Sequence, residues 1–176
     1  VNTLTATNGR WSGTNTDGSG FLAGLGRDVP SGTRVAILGT GGAARAVASA
    51  LRDAGAMVTL FGRSAEAARD VASGLGVSGA ARPVPPSSWD LLVNATPVGT
   101  YPDVNQTSFP EGVFDGGTVY DLIYLPERTR LLRDAEQAGC RTIGGLLMLI
   151  EQARLQQAWW TGRRPGVEAL RAAAVA

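Results

Sequence analysis

Val35-Ala36-Ile37-Leu38 is an unbroken apolar run that leads straight into Gly39-Thr40-Gly41-Gly42 and then into a helical pattern. A short continuous apolar run bounded by turn residues suits a strand buried on both faces, as in a parallel sheet. Behind the glycines, Ala44, Val47, Ala48 and Leu51 recur at i, i+3, i+4 and i+7, one face of a helix that Gly55 would end. A second apolar run, Met57 to Phe61, follows. Strand, glycine turn, helix and strand make a complete βαβ unit. Gly39, Gly41 and Ala44 fill the small positions of G-x-G-x-x-G/A, which permit the tight turn, the approach of a pyrophosphate and the packing of helix on strand. A tight strand-to-helix turn without any ligand would show the same spacing.

The pattern repeats along the chain. Val1 to Thr5 and Trp11 to Thr14 read as two short strands around Thr7-Asn8-Gly9-Arg10. Phe21, Leu22 and Leu25 then mark a helix, with Asp17 just before it in the position of an N-cap. Ala65 to Leu75 reads as a helix after Gly62-Arg63-Ser64, Ala81 to Val84 as a short strand stopped by Pro85-Pro86, and Trp89 to Asn94 as a further strand. A Pro/Gly-containing loop over 100–117 precedes a strand at Thr118–Leu122, a helix starting near Thr129, a short strand at Arg141–Ile143 and two closing helices, Leu146 to Gly162 and Gly166 to Ala174. The expected fold is α/β: a Rossmann-type doubly wound parallel sheet of about six strands in the order 3-2-1-4-5-6.

Composition adds mainly exclusions. The 176 residues are 44% hydrophobic and 18% charged with a net charge of +1, which fits a packed domain and argues against bulk-charge binding to nucleic acid or an anionic membrane. No apolar run approaches the ~18 residues of a membrane span. Val1-Asn2-Thr3 opens directly into mixed polar sequence without a leader pattern, and Cys140 is the only cysteine, so a reducing, cytoplasmic setting is expected. The sequence holds no histidine, and all 16 cationic residues are arginine. It therefore has no lysine or histidine for proton transfer, and no metal site is expected. Arginine stays protonated, which leaves Asp, Glu, Tyr, Cys or another polypeptide for such chemistry.

Local chemistry narrows the ligand. After the second strand of a dinucleotide unit, an acidic residue usually holds the ribose 2′-hydroxyl; here Arg63 stands instead, suited to a 2′-phosphate, with Ser64 able to cap the next helix or donate to that phosphate. A solvated surface arginine is the competing reading. The turn Asn94-Ala95-Thr96-Pro97-Val98-Gly99 follows the carboxyl end of a strand, where ligands of open sheets bind. Gln152 is a polar residue in an apolar helix, and solvent exposure is its plainest reading.

Taken in order, Val1-Asn2-Thr3, Asn15-Thr16-Asp17-Gly18, Gly39 to Ala46, Arg63-Ser64, Asn94 to Gly99, Asp121-Leu122-Ile123-Tyr124 and Gly145 to Ala153 resemble the shikimate dehydrogenase family over nearly the whole chain. The resemblance implies NADP-dependent reduction of 3-dehydroshikimate to shikimate in aromatic amino-acid biosynthesis. It implies that Asp17 is catalytic and that Asn2, Tyr124 and Gln152 hold shikimate. Gly39, Thr40, Gly41, Gly42 and Ala43 would form the pyrophosphate loop, and Arg63 and Ser64 the 2′-phosphate clamp. Thr96 to Gly99 (Thr96 and Val98 among them), Leu122 and Gly145 would line the ribose and nicotinamide.

Two departures stand out. Gly62 replaces an asparagine of the usual clamp, and Ala67 replaces its second arginine. The family also begins with a substrate domain of about 100 residues that supplies a catalytic lysine, and the present sequence starts at its end. The expected division is 1–16 as the end of that domain, 17–145 as the NADP-binding domain and 146–176 as helices returning to the substrate domain. A non-catalytic NADP(H)-binding module and an NAD-using quinate/shikimate dehydrogenase are the alternatives. With the substrate domain absent, exposed apolar surface is expected on the hairpin and the Leu146–Trp160 helix, to be covered by that domain or by another copy.

Overall fold

The computed structural model describes residues 1–110 and 112–174. A two-stranded antiparallel hairpin opens the chain, β1 (Thr3–Thr7) paired with β2 (Arg10–Thr14). Asn8 and Gly9 at its tip both have positive φ, 51° and 74°, the pair of left-handed residues that a type I′ turn requires. Helix α1 (Asp17–Leu25) then leads to the sheet. In chain order follow β3 (Arg34–Leu38), α2 (Gly42–Asp53), β4 (Met57–Gly62), α3 (Ala65–Ser73), β5 (Ser78–Ala81), β6 (Leu91–Asn94), β7 (Thr118–Asp121), α4 (Arg130–Gln137), β8 (Arg141–Ile143), α5 (Leu146–Thr161) and α6 (Val167–Ala174).

The six strands lie in the order β5-β4-β3-β6-β7-β8, and every neighbouring pair is parallel. Numbered from β3, this is the expected 3-2-1-4-5-6. The order reverses at β3, so the crevice of the switch point opens at its carboxyl end. Val35 to Leu38 are buried, as a central strand covered on both faces demands. One core, built from Ile37, Val47, Leu51, Leu60 and Phe21, lies under α1 and α2. The other, with Leu38, Trp89, Phe109 and Leu131, lies under α4 and the loops.

Helix α1 packs against both α2 and α5. Its glycines make that possible. A Cβ on Gly20 would stand 2.7 Å from the backbone nitrogen of Gln152 in α5, and one on Gly18 would stand 2.9 Å from the carbonyl of Ala46 in α2. The helix is thus wedged between two neighbours at backbone contact distance.

Three expectations need correction. The third strand of the dinucleotide unit is Ser78–Ala81, not Ala81–Val84. It is an edge strand of small residues, because α3 presses on it: a Cβ on Gly79 would lie 2.5 Å from the carbonyl of Ala68. Its apolar signal is weak for that reason, and Pro83 cannot donate to a ladder. Trp89 precedes β6 and packs edge-on against Phe109 rather than joining the strand. Asp17 is the first helical residue of α1 and not its cap; Thr16 holds the cap position, its carbonyl accepting from Gly20 N at 2.8 Å.

Apolar surface is exposed where the sequence leads one to expect it. Leu4 and Trp11 on the hairpin and Trp159 and Trp160 at the end of α5 all face solvent, Trp11 at 76% exposure. The Trp160 indole donates to Leu4 O at 2.9 Å, joining the two parts of this patch. Among the described residues no helix is long and apolar enough to cross a membrane.

The wedge gives a test. Alanine normally favours a helix interior over glycine by about 1 kcal/mol. Gly20→Ala should nonetheless lower the unfolding free energy, by about 1–2 kcal/mol, because overpacking outweighs propensity. Ala23→Gly, on the exposed side of the same helix, should lose only the propensity, about 1 kcal/mol. Urea denaturation of both variants checks the contrast.

Candidate active site

The residues that the sequence singles out for substrate and proton transfer converge. Asn2, Asp17, Tyr124 and Gln152 line one cavity of about 290 Å³, together with Leu122 and Gly145. They come from the hairpin entry, the start of α1, the turn after β7 and the middle of α5. Ala43, in the first turn of α2, also lines it, so the cavity opens beside the glycine turn.

Asn2 organises its polar wall. Its Nδ2 donates to Asp17 Oδ1 at 2.7 Å and to Thr16 Oγ1 at 3.0 Å, while its Oδ1 accepts from Thr16 N at 3.0 Å. Asn15 Oδ1 accepts from Asp17 N at 2.8 Å, which turns the chain into α1 and leaves the Asp17 carboxylate free of capping. The carboxylate stands at the N-terminus of α1. Gln152 is half-buried against α1, not solvent-facing; its Nε2 donates to Leu149 O at 3.1 Å, and its Oε1 takes a long bond of 3.4 Å from Thr16 Oγ1.

Sequence reasoning missed Thr16. It is buried and ties Asn2 to Gln152, so the hairpin, α1 and α5 share one polar joint. Its place in Asn15-Thr16-Asp17 was the available signal, overshadowed by the neighbouring carboxylate. Met148 and Gln156 also line the cavity. Gln156 follows Gln152 by four residues, on the same face of α5.

The crevice end of the sheet is built around a buried carboxylate, Asp121. Its Oδ2 accepts from Thr129 Oγ1 at 2.6 Å, and its Oδ1 accepts from Asn94 Nδ2 at 2.9 Å and Ile123 N at 3.1 Å. Asn94 Oδ1 in turn accepts from Thr96 N and Thr96 Oγ1, at 3.0 and 2.7 Å. Thr129 caps α4 by accepting from Leu132 N. The loop carrying Thr96 and Val98 and the turn carrying Leu122 and Tyr124 are thereby locked to the ends of β6 and β7. Burial pushes the Asp121 carboxyl above its ordinary value of 3.8, against the pull of Thr129, Ile123 and Asn94.

The glycine turn has the shape of an anion cradle. Gly39 has φ 115°, and a Cβ there would meet Ala95 O at 2.9 Å. At Gly41 and Gly42 a Cβ would meet nothing within 4 Å. The side-chain space over the α2 N-terminus is therefore open, as a phosphate approaching the free N–H groups needs. Thr40 completes the turn, and its carbonyl accepts from Arg45 Nε at 3.2 Å. At the end of β4, Arg63 is exposed; Ser64 caps α3, its Oγ accepting from Ala67 N at 3.4 Å.

The parallel sheet in this order, with a glycine turn opening a helix at its switch point, makes this a Rossmann-type α/β protein. A family model described as the shikimate 5'-dehydrogenase C-terminal domain matches residues 145–175. The shikimate dehydrogenase (NADP(+)) of Moorella thermoacetica is 42% identical over 95% of this chain and 62% of its own length. Among solved structures, the shikimate 5-dehydrogenase of Thermus thermophilus in complex with NADP(H) and shikimate superposes with a TM-score of 0.82 at 37% identity, over 97% of this chain and 66% of its own. Quinate dehydrogenase of Corynebacterium glutamicum in complex with NAD gives 0.85 at 30% identity, over 98% and 66%. The chain belongs to the shikimate dehydrogenase family. It spans 62–66% of the length of the curated relatives it matches.

Asp121 gives a pH test. Because its native pKa is raised, the native state keeps a proton that the unfolded chain has released in the window just above 3.8. The stability it contributes is complete below that window and falls as pH rises through the native value. Asp121→Asn cannot ionise. The unfolding free energy of the parent chain relative to that variant should decline as pH is raised from about 4 to 7, measured by denaturant titration at each pH.

Proposed function

We propose that this chain is the cofactor-binding part of an NADP-dependent shikimate dehydrogenase, reducing 3-dehydroshikimate to shikimate. The observation that carries the reading is the Asn2–Asp17 pair in a cavity that also holds Tyr124 and Gln152 and borders the glycine turn at Ala43. Residues 1–16 would close a substrate domain, 17–145 bind the dinucleotide and 146–176 return to the substrate domain.

Gly39 to Ala43 would receive the pyrophosphate, Arg63 and Ser64 the 2′-phosphate, and Thr96, Val98, Leu122 and Gly145 the ribose and nicotinamide. When bound, NADPH would supply the hydride. Asn2, Tyr124 and Gln152 would hold the substrate hydroxyls. Asp17 has one oxygen engaged by Asn2, which fixes its orientation and leaves Oδ2 to exchange a proton with the oxygen of the reacting carbonyl. The sequence has no lysine, so any lysine working with Asp17 would come from outside it.

Arg63 in place of an acidic residue favours NADP over the NAD that the quinate-acting relative carries. In a fluorescence titration the chain should bind NADPH more tightly than NADH, and equal affinities would favour the NAD-using alternative. The chain alone should not reduce 3-dehydroshikimate at the rate of a full-length relative. Adding a separately made substrate domain should restore NADPH oxidation, and Asp17→Asn should lower the restored rate by about 10²–10⁴-fold. NADPH binding without any restored turnover would favour the non-catalytic module.

A further inference from the structure

The carboxyl edge of the sheet carries a second cation beside Arg63. β4 ends at Gly62 and β5 at Ala81, and these two residues are partners across the parallel pair. The next residue on each strand is an arginine, Arg63 and Arg82. Arg82 N continues the ladder by donating to Gly62 O at 3.0 Å, so the two arginines leave adjacent strands side by side. Arg63 is exposed. Arg82 is half-buried; its Nη1 donates to Ser108 O at 3.3 Å, and its Nε is buried without a partner among the described residues.

The Arg63 charge reaches Arg82. Burial first, and then the Arg63 charge, lower the Arg82 guanidinium from its ordinary value. Among the described residues, neither arginine forms an ion pair with a carboxylate. Arg63 stands just before α3, with Ser64 at its cap, and Arg82 lies beside it on the neighbouring strand. Adjacent like charges at a helix N-terminus are relieved by an anion that offers several oxygens at once, and a phosphate monoester does so. A nicotinamide dinucleotide carries such a group only on its 2′-phosphorylated ribose.

We propose that Arg82 joins Arg63 and Ser64 as the second cation of the adenosine 2′-phosphate seat and is a determinant of NADP(H) preference. This inference rests on the reading of the chain as an NADP(H)-binding protein. It extends the seat from the turn after β4 to the end of the edge strand.

The test titrates the chain and its variants with NADPH, NADH and 2′,5′-ADP, the last carrying the phosphate without the nicotinamide. Arg82→Gln should weaken NADPH and 2′,5′-ADP by about 10- to 100-fold and leave NADH within about twofold. Arg82→Lys keeps the charge but loses the planar fork. It should lose less for the phosphorylated ligands, and it serves as the reporter if the glutamine variant does not fold. Unchanged NADPH affinity in the folded variants, or equal losses for NADPH and NADH, overturns the inference alone. If the unaltered chain binds neither nucleotide, the cofactor reading fails and the inference with it.

Discussion

A carboxylate buried at the end of a central strand is costly unless donors surround it, and the crevice of this protein is built to satisfy one. Asp121 takes a hydroxyl, a side-chain amide and a backbone N–H from three different segments. Each partner then does something else: Asn94 shapes the loop after β6 through Thr96, Thr129 caps α4, and the Ile123 N–H fixes the turn toward Tyr124. The need to solvate one charge therefore sets the course of both loops flanking the candidate nicotinamide pocket. Hydrophobic burial stacks the layers, but it would leave these loops free to take several courses.

The sheet was legible because its central strands are buried on both faces, and such strands read as uninterrupted apolar runs. Val35–Leu38 and Leu91–Val93 illustrate this. The edge strand β5 escaped because its side chains are small enough to let α3 press against it, so burial there carries no apolar signature. The cavity was legible at Asp17, Asn2, Tyr124 and Gln152 through ordered motifs spread along the whole chain. Thr16 was not singled out, since a threonine before a helix is ordinary and its role depends on residues 14 before and 136 after it. Arg82 escaped for a similar reason. Its neighbour Arg63 is remote in sequence, and only the parallel register of β4 and β5 puts them together.

Two kinds of surface meet in this chain. The sheet and its helices bury their apolar faces in two cores, whereas the hairpin and the end of α5 hold tryptophans in solvent. The polar joint at Thr16 binds that exposed region to the candidate active site. The same elements thus carry the cavity-lining residues Asn2 and Gln152 and the uncovered apolar patch.

The wedging of α1 has a further consequence. Phe21 and Leu25 anchor this helix in the core beneath the sheet, while Gly18 and Gly20 hold it against α2 and α5 without room to slide. Asp17 stands at its first residue, and the glycine turn stands at the start of α2. Both therefore belong to one rigid frame of reference. A body moving across the cavity would change its own distance to the carboxylate, but not the distance from the carboxylate to the turn. The coordinate along which such a cleft closes is thus borne by whatever comes to it, with Asp17 as the fixed origin.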